Sequence, residues 1–458
     1  MSFLLPLTFE TRHARTRRGW VDFYRSRDLF LHEMLKRRGQ GLTFGHYVAP
    51  DKTTVDAILT PEDIRQHSLI LGGTGTGKSS LLEALARFHF AAGQGFVMID
   101  LHGDLFARVA AWAEHGHVPN VTLLDFTKPD AMPSWNPLKQ IPDIDVGRHV
   151  DLLVGVLKRL YASEKLASWS WGVKVEELMR YALRACIESR TMATLVDLKS
   201  FFLLPVLRQE LLATCSDETR GYFARFGRRE EMYIGAVLNK LDPFMSSVAV
   251  QRFLGSPTPT MDLFQIVDRS ETLLVNLPRG YLGSSTADVV GRLLVNFLQV
   301  AALRREAMPM ERRKPFSIIL DEAHNLAGPD SGLEDLLVAA RKYRVFVTLA
   351  AQNLHLFPPG FRAHVLGNAY RQFFFRMPHS EAKALASELF EAQGNLWREP
   401  VRPYDELTDP LLTPSEEIDA RISDLASLPI GDCYWLLKGR RFKGRRIKIT
   451  APISKVAR

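Results

Sequence analysis

Apolar positions fall into two textures along the chain. From residue 68 onward, short unbroken apolar runs alternate with stretches of helical period. Residues 68–71 (SLIL) lead into a glycine-rich turn, 79–92 repeat at helical spacing, 95–100 (GFVMID) end in a carboxylate, and 121–126 form a further run. Such runs read as strands buried on both faces, and their alternation with helices predicts a mostly parallel sheet covered by helices. Between about 143 and 257 the texture changes: 152–160, 173–187, 195–203, 207–212 and 232–241 carry helical periodicity with no strand-like run between them. An all-helical insertion follows from that pattern. Strand-like runs return at 272–277 (TLLVNL), 316–321 (FSIILD), 345–351 (VFVTLAA) and 372–377 (QFFFRM), with helices predicted over 287–305 and 333–343. Residues 47–52 read as a loop, and 433–437 with 446–449 as a closing hairpin.

The fold class is therefore α/β. The domain reading is a basic N-terminal segment (1–60), a first part of the sheet domain (61–142), the helical insertion (143–258), a second part of the sheet domain (259–400) and a C-terminal segment with a basic hairpin (401–458).

Composition narrows the class without naming a function. With 458 residues, 46% hydrophobic and 24% charged, the chain is globular rather than disordered, collagen-like or disulfide-stapled. Its 59 Lys and Arg exceed 51 Asp and Glu by eight, which fits either an anionic partner or a merely basic surface. Cys186, Cys215 and Cys433 stand far apart and read as small buried hydrophobes. No apolar run reaches the about 18 residues of a membrane span, so no spanning helix is expected and the chain reads as cytoplasmic. Arginines at 12, 15, 17, 18, 25, 27, 37 and 38 interleave with Trp20, Phe23, Tyr24 and Phe30, as in a nucleic-acid arm or an amphipathic helix. Lys438, Arg440, Arg441, Lys443, Arg445, Arg446 and Lys448 surround the hairpin turn, either solvated or in contact with DNA or another subunit.

The strongest chemical signal is Gly72-Gly73-Thr74-Gly75-Thr76-Gly77-Lys78-Ser79, followed by Ser80, placed after a predicted strand and before a predicted helix. Glycines let a loop wrap so that successive N–H groups point at an anion, and the helix dipole adds to the attraction. In such a P-loop Lys78 reaches the β and γ phosphates of ATP and the Ser79 hydroxyl ligates Mg2+. A P-loop also needs a carboxylate strand, and the run at 316–320 ends in Asp321, suited to hold magnesium, and Glu322, suited to polarise a water. Gln352 ends the next run, where its amide senses the γ-phosphate or only caps a loop. Arg341, Lys342 and Arg344 lie on the helix between, as an arginine finger for a neighbouring subunit or as a basic helix end. Asp100 and Asp104 follow a strand end and Asp100 is expected near the ligand; His102 and His324 have no metal-ligand spacing.

The strings at 67–79, 98–104, 318–324, 339–343 and 350–352 together resemble the FtsK/HerA superfamily of DNA-pumping ATPases. Within it they resemble the conjugative coupling-protein branch, the type IV secretion ATPases of the VirD/TraG/TraD kind. The resemblance implies a RecA-like P-loop (ASCE) sheet, with ATP and Mg2+ as cofactors. It also implies a hexameric ring with Arg341 acting in trans, Gln352 as sensor, Lys78 and Glu322 as catalytic groups, and DNA in a central channel. A relaxase, nuclease or secretion-channel partner belongs to the same expectation. Two departures stand out: coupling proteins usually carry an N-terminal membrane anchor, and Leu101-His102 stands where a basic residue is common.

Two other readings share the nucleotide residues. A ring ATPase of a defence or secretion assembly would switch the assembly or move protein. Asp321-Glu-Ala-His324 also spells the DEAH string of superfamily-two helicases. Those place the string nearer the P-loop and need a second motor domain, for which too few residues follow Gln352.

Overall fold

The structure is a computed structural model and describes residues 28–49, 52–141, 144–161, 171–189, 193–225, 227–245, 247–328, 332–390, 413–440 and 443–450. Its strands, in chain order, are β1 (Leu42–Val48), β2 (Thr54–Leu59), β3 (Ser68–Leu71), β4 (Phe96–Asp100), β5 (Val121–Asp125), β6 (Thr272–Asn276), β7 (Phe316–Leu320), β8 (Val345–Ala351), β9 (Arg371–Phe375), β10 (Asp432–Leu437) and β11 (Arg445–Ile449). The chain divides into two compact units. The first comprises the described residues of Met1–Ala91, Val347–Leu356 and Val365–Arg458, and the second those of Ala92–Phe346 and Phe357–His364.

In the first unit the strand order is β2-β1-β11-β10-β9-β3-β8. β3 is parallel to both β9 and β8, which leaves all four of its residues buried, and the remaining pairs are antiparallel. A continuous apolar run is what a strand buried on both faces requires. The outer strands are joined to β9 by aromatic side chains. Trp435 stacks on Phe373 at 6.0 Å and meets Phe44 and Phe30 edge-on at 5.0 and 5.6 Å. Each such pair contributes about 0.5–1.5 kcal/mol beyond the area it buries.

The predicted loop over 47–52 begins too early, because Tyr47 and Val48 still belong to β1, paired with Val55 and Thr54. Tyr47 is held there by its hydroxyl, which donates to Asp28 at 2.7 Å. Of the arginine-rich stretch, residues 1–27 lie outside the described residues. The rest forms the helix Leu29–Lys36, capped by Asp28 and anchored by Phe30, Leu31 and Met34. Arg371 opens β9 fully buried, and that burial lowers its pKa to about 10 against the support of Asp63. Burial, reinforced by the Arg371 charge, keeps His89 neutral with a pKa near 3.

In the second unit the order is β7-β4-β6-β5, with parallel β4–β7, β4–β6 and β5–β6 pairs. Between β5 and β6 the described residues contain helices and no strand, as the periodicity predicts. Their ends follow local chemistry: Thr194 and Asp197 form a reciprocal capping box, and Asp262 accepts from the N–H groups of Phe264 and Gln265. The helix Ser284–Arg304 runs through the core of this unit with fifteen buried residues. By length and composition alone the stretch Ser284–Ala307 could cross a membrane, but 83% of its apolar window is buried inside the protein, as in a core helix.

Candidate functional site

The glycine-rich loop leaves the end of β3 and runs into the helix Lys78–Ala91. Neighbouring main chain fixes it. Gly72 N–H donates to Ala351 O (3.3 Å), Gly73 N–H to Arg376 O (2.9 Å), and Gly431 N–H to Thr76 O (2.9 Å). Within the loop, Thr76 Oγ1 donates to Gly73 O at 2.8 Å. Gly77 has φ +118°, and a Cβ there would lie 3.1 Å from Phe375 Cε1 and 3.2 Å from Gly431 Cα. Only glycine meets both demands, of conformation and of space. Thr74 and Gly75 form the exposed tip, Ser79 is half-buried and Ser80 exposed. The buried Lys78 turns its ammonium back into the loop, donating to Gly72 O (2.7 Å) and Gly73 O (3.0 Å). A cation thus sits inside a ring of backbone, the arrangement that receives phosphate oxygens.

Gln352 follows Ala351, the β8 residue that pairs with Leu71 at the end of β3. It therefore stands one position past the root of the loop, half-buried. Arg376 and Gly431, which hold the loop by main-chain bonds, were not singled out by the sequence. A backbone contact leaves no residue-type signature, and only the position of Arg376 at the end of β9 points to it.

In the second unit, five buried residues of β7 deliver Asp321 and Glu322, each 7% exposed. Asp321 N–H donates to Ile99 O at 3.1 Å, and Asp321 Oδ1 accepts from Glu322 N–H at 3.0 Å. Glu322 adopts φ 48°, ψ 44°, a left-handed conformation rare outside glycine and asparagine. Strain of that kind persists where the surroundings enforce it. Here Asn325 holds the Glu322 carbonyl through both its N–H (3.0 Å) and its amide (3.2 Å). His324 Nδ1 lies 3.4 Å from Glu322 Oε2, so this histidine stands beside the carboxylate. Asp100 also holds the turn that follows it: its two oxygens accept from His102 N–H and Phe106 N–H, both at 2.8 Å, at the start of the helix Asp104–His115.

The segment of Arg341 departs from the expected helix. That helix, Gly332–Ala339, ends early and a 3-10 turn, Ala340–Tyr343, carries the cations. Three arginines tie the turn down. Arg305 donates to Tyr343 O (3.2 Å), Arg313 to Lys342 O (2.9 Å), and Arg344 to Arg313 O (3.1 Å). Lys342 lies over the Tyr343 ring at 4.7 Å. Arg341 is exposed, and among the described residues its guanidinium has no hydrogen bond or ion pair. Around the closing hairpin three of the cations are locally matched. Arg446 bonds Asp432 (2.7 Å) and Asp424 (2.9 Å), Lys438 approaches Glu388 (3.8 Å), and Arg440 approaches Glu33 (3.6 Å). Arg441 lies outside the described residues.

Comparison with known proteins places this architecture. The family model described as the central domain of the helicase HerA matches residues 42–295, more than half of the chain. The type 4 coupling protein DotL of Legionella pneumophila is 32% identical over 90 residues, 19% of this chain and 11% of that protein. Among solved structures, the plasmid coupling protein TrwB in complex with the GTP analogue GDPNP superposes with a TM-score of 0.61 over 91% of each chain, at 14% identity. VirB4 of Thermoanaerobacter pseudethanolicus gives 0.54 over 90% of this chain and 97% of that one, at 16% identity. The fold is thus the RecA-like P-loop fold of those ATPases, and the chain belongs to the HerA helicase central-domain family.

Proposed function

We propose that the chain is an ATP hydrolase that works as a ring and converts each hydrolysis into movement of DNA. The observation that carries the ATPase reading is the loop at 72–79, fixed by its neighbours' main chain with the Lys78 ammonium buried at its centre. Its residues fit a nucleotide with magnesium, since they offer a glycine-rich loop at a helix start, a buried cation and the Ser79 hydroxyl. TrwB itself is known in complex with ADP and Mg2+.

In this reading Gly72, Gly73, Thr74, Gly75, Thr76, Gly77 and Ser80 line the phosphates, and Lys78 exchanges its loop carbonyls for β and γ phosphate oxygens. Ser79 and Asp321 are the residues that would hold the metal. Magnesium, when bound, neutralises charge on the transferring phosphoryl group. Glu322 would orient the attacking water and accept its proton. Gln352, at the root of the loop, senses the γ-phosphate. Arg341, exposed on an anchored turn, serves the nucleotide of a neighbouring subunit, which requires a ring.

A second reading, movement or switching of protein rather than DNA, is favoured by the hairpin, where Lys438, Arg440 and Arg446 are each matched by acids of the same chain. Steady-state ATPase rate against double- and single-stranded DNA, at low and moderate salt and with Glu322→Gln as the blank, separates the two. Stimulation that weakens with salt supports the DNA motor and identifies its track. A rate indifferent to both forms moves the assignment to protein cargo.

A further inference from the structure

The turn before β10 offers a site that the P-loop motif does not include. Leu428 anchors it in the core, and three backbone bonds lock it: Asp432 N–H to Pro429 O (3.1 Å), Gly431 N–H to Thr76 O (2.9 Å) and Ile449 N–H to Gly431 O (2.7 Å). Gly431 has φ +86°, so the tight reversal depends on glycine. On this rigid turn Ile430 is 69% exposed, although most large apolar side chains of the surrounding strands are buried. The turn touches the second half of the loop, at Thr76 and Gly77, next to Lys78 and Ser79. That half leads into the helix start, where the α and β phosphates bind, and the nucleoside must depart from the α-phosphate.

We infer that Ile430 is the apolar platform on which the ribose and base of the bound nucleotide rest, held at fixed height above the loop by the bond between Gly431 and Thr76. This inference rests on the nucleotide-binding reading of the loop. A nucleoside covering Ile430 removes apolar area from water, which explains why a locked turn beside a phosphate loop keeps an isoleucine exposed.

The test compares ATP with inorganic tripolyphosphate, which has the phosphates and no nucleoside. Isothermal titration of the full chain gives both affinities for wild type, Ile430→Ser and Ile430→Leu. Ile430→Ser weakens ATP about tenfold, roughly the worth of half-burying one such side chain, while tripolyphosphate binds as to wild type. Ile430→Leu keeps ATP within about twofold of wild type, since it conserves apolar volume. Unchanged ATP affinity in Ile430→Ser, or an equal loss for both ligands, overturns the inference. Retained tripolyphosphate binding verifies that the variant is folded. Failure of wild type to bind either ligand would instead sink the nucleotide-binding reading itself.

Discussion

The phosphate loop and the cation turn are both short irregular segments that must present one charged side chain accurately, yet they are held in opposite ways. Residues 72–79 are fixed by main chain, through Ala351, Arg376 and Gly431, with glycine where a Cβ would collide. Residues 340–344 are fixed by side chains, with Arg305, Arg313 and Arg344 reaching backbone carbonyls. Main-chain fixation is indifferent to most substitutions and vulnerable at its glycines and its lysine. Side-chain fixation spreads the vulnerability over residues distant in sequence. The first kind leaves a motif, whereas the second leaves scattered arginines.

The largest expected effects lie in the loop and the carboxylate turn. Lys78→Ala removes the only charged group inside the loop and should reduce ATP binding to background in a titration. Glu322→Gln should leave binding intact and bring turnover to background, because the amide no longer accepts a proton. Hydrolysis surviving both changes would break the assignment of either turn.

Next comes the group that the cation turn presents. Arg341→Ala should lower ATPase rate by about a thousandfold, the scale of an arginine finger. If it acts in trans, mixing Arg341→Ala with Glu322→Gln subunits should recover activity at interfaces that pair an intact Arg341 with an intact Glu322. Lack of recovery at any ratio would count against action between subunits.

A smaller effect tests the anchoring itself. Arg313→Ala frees the Lys342 carbonyl and the contact with Tyr343, so kcat should drop about ten- to a hundredfold by misplacing Arg341, with ATP affinity unchanged. Arg313→Lys retains a donor and should recover part of the rate. A parallel loss of affinity would mean that Arg313 supports the unit as a whole.

How much of this was legible in the sequence follows the same division. The loop, β7 with its two acids, and the helical stretch between β5 and β6 could be read because each rests on a local pattern: a glycine spacing, an unbroken apolar run, or a helical period. The pairing of β1 with β2 and β11 was hidden, because Gly45 and His46 interrupt the apolar run and one partner lies at the far end of the chain. The early end of the helix at Ala339 was hidden too. Residues 339–343 keep helical spacing, yet a 3-10 turn takes over at Ala340 and ends at the left-handed Arg344, held by bonds from Arg305 and Arg313. That Asp100 is a carboxylate at a strand end could be read, but not that each of its oxygens accepts from a backbone N–H of the following turn. Pattern locates elements; it does not say which polar groups are already satisfied.

The smallest effect concerns the hairpin, where charge alone suggested a DNA contact. Arg440 is 41% exposed, 3.6 Å from Glu33 and within 3.3 Å of the Tyr370 hydroxyl. An exposed pair of this kind contributes less than about 1 kcal/mol, so Arg440→Ala should move the thermal midpoint little. Because the cation is already matched by Glu33, its removal should also leave the DNA dependence of the ATPase rate and its salt slope within error. A slope reduced by about one would assign Arg440 to a phosphate and make the hairpin, unlike the cation turn, a surface that trades its internal partners for nucleic acid.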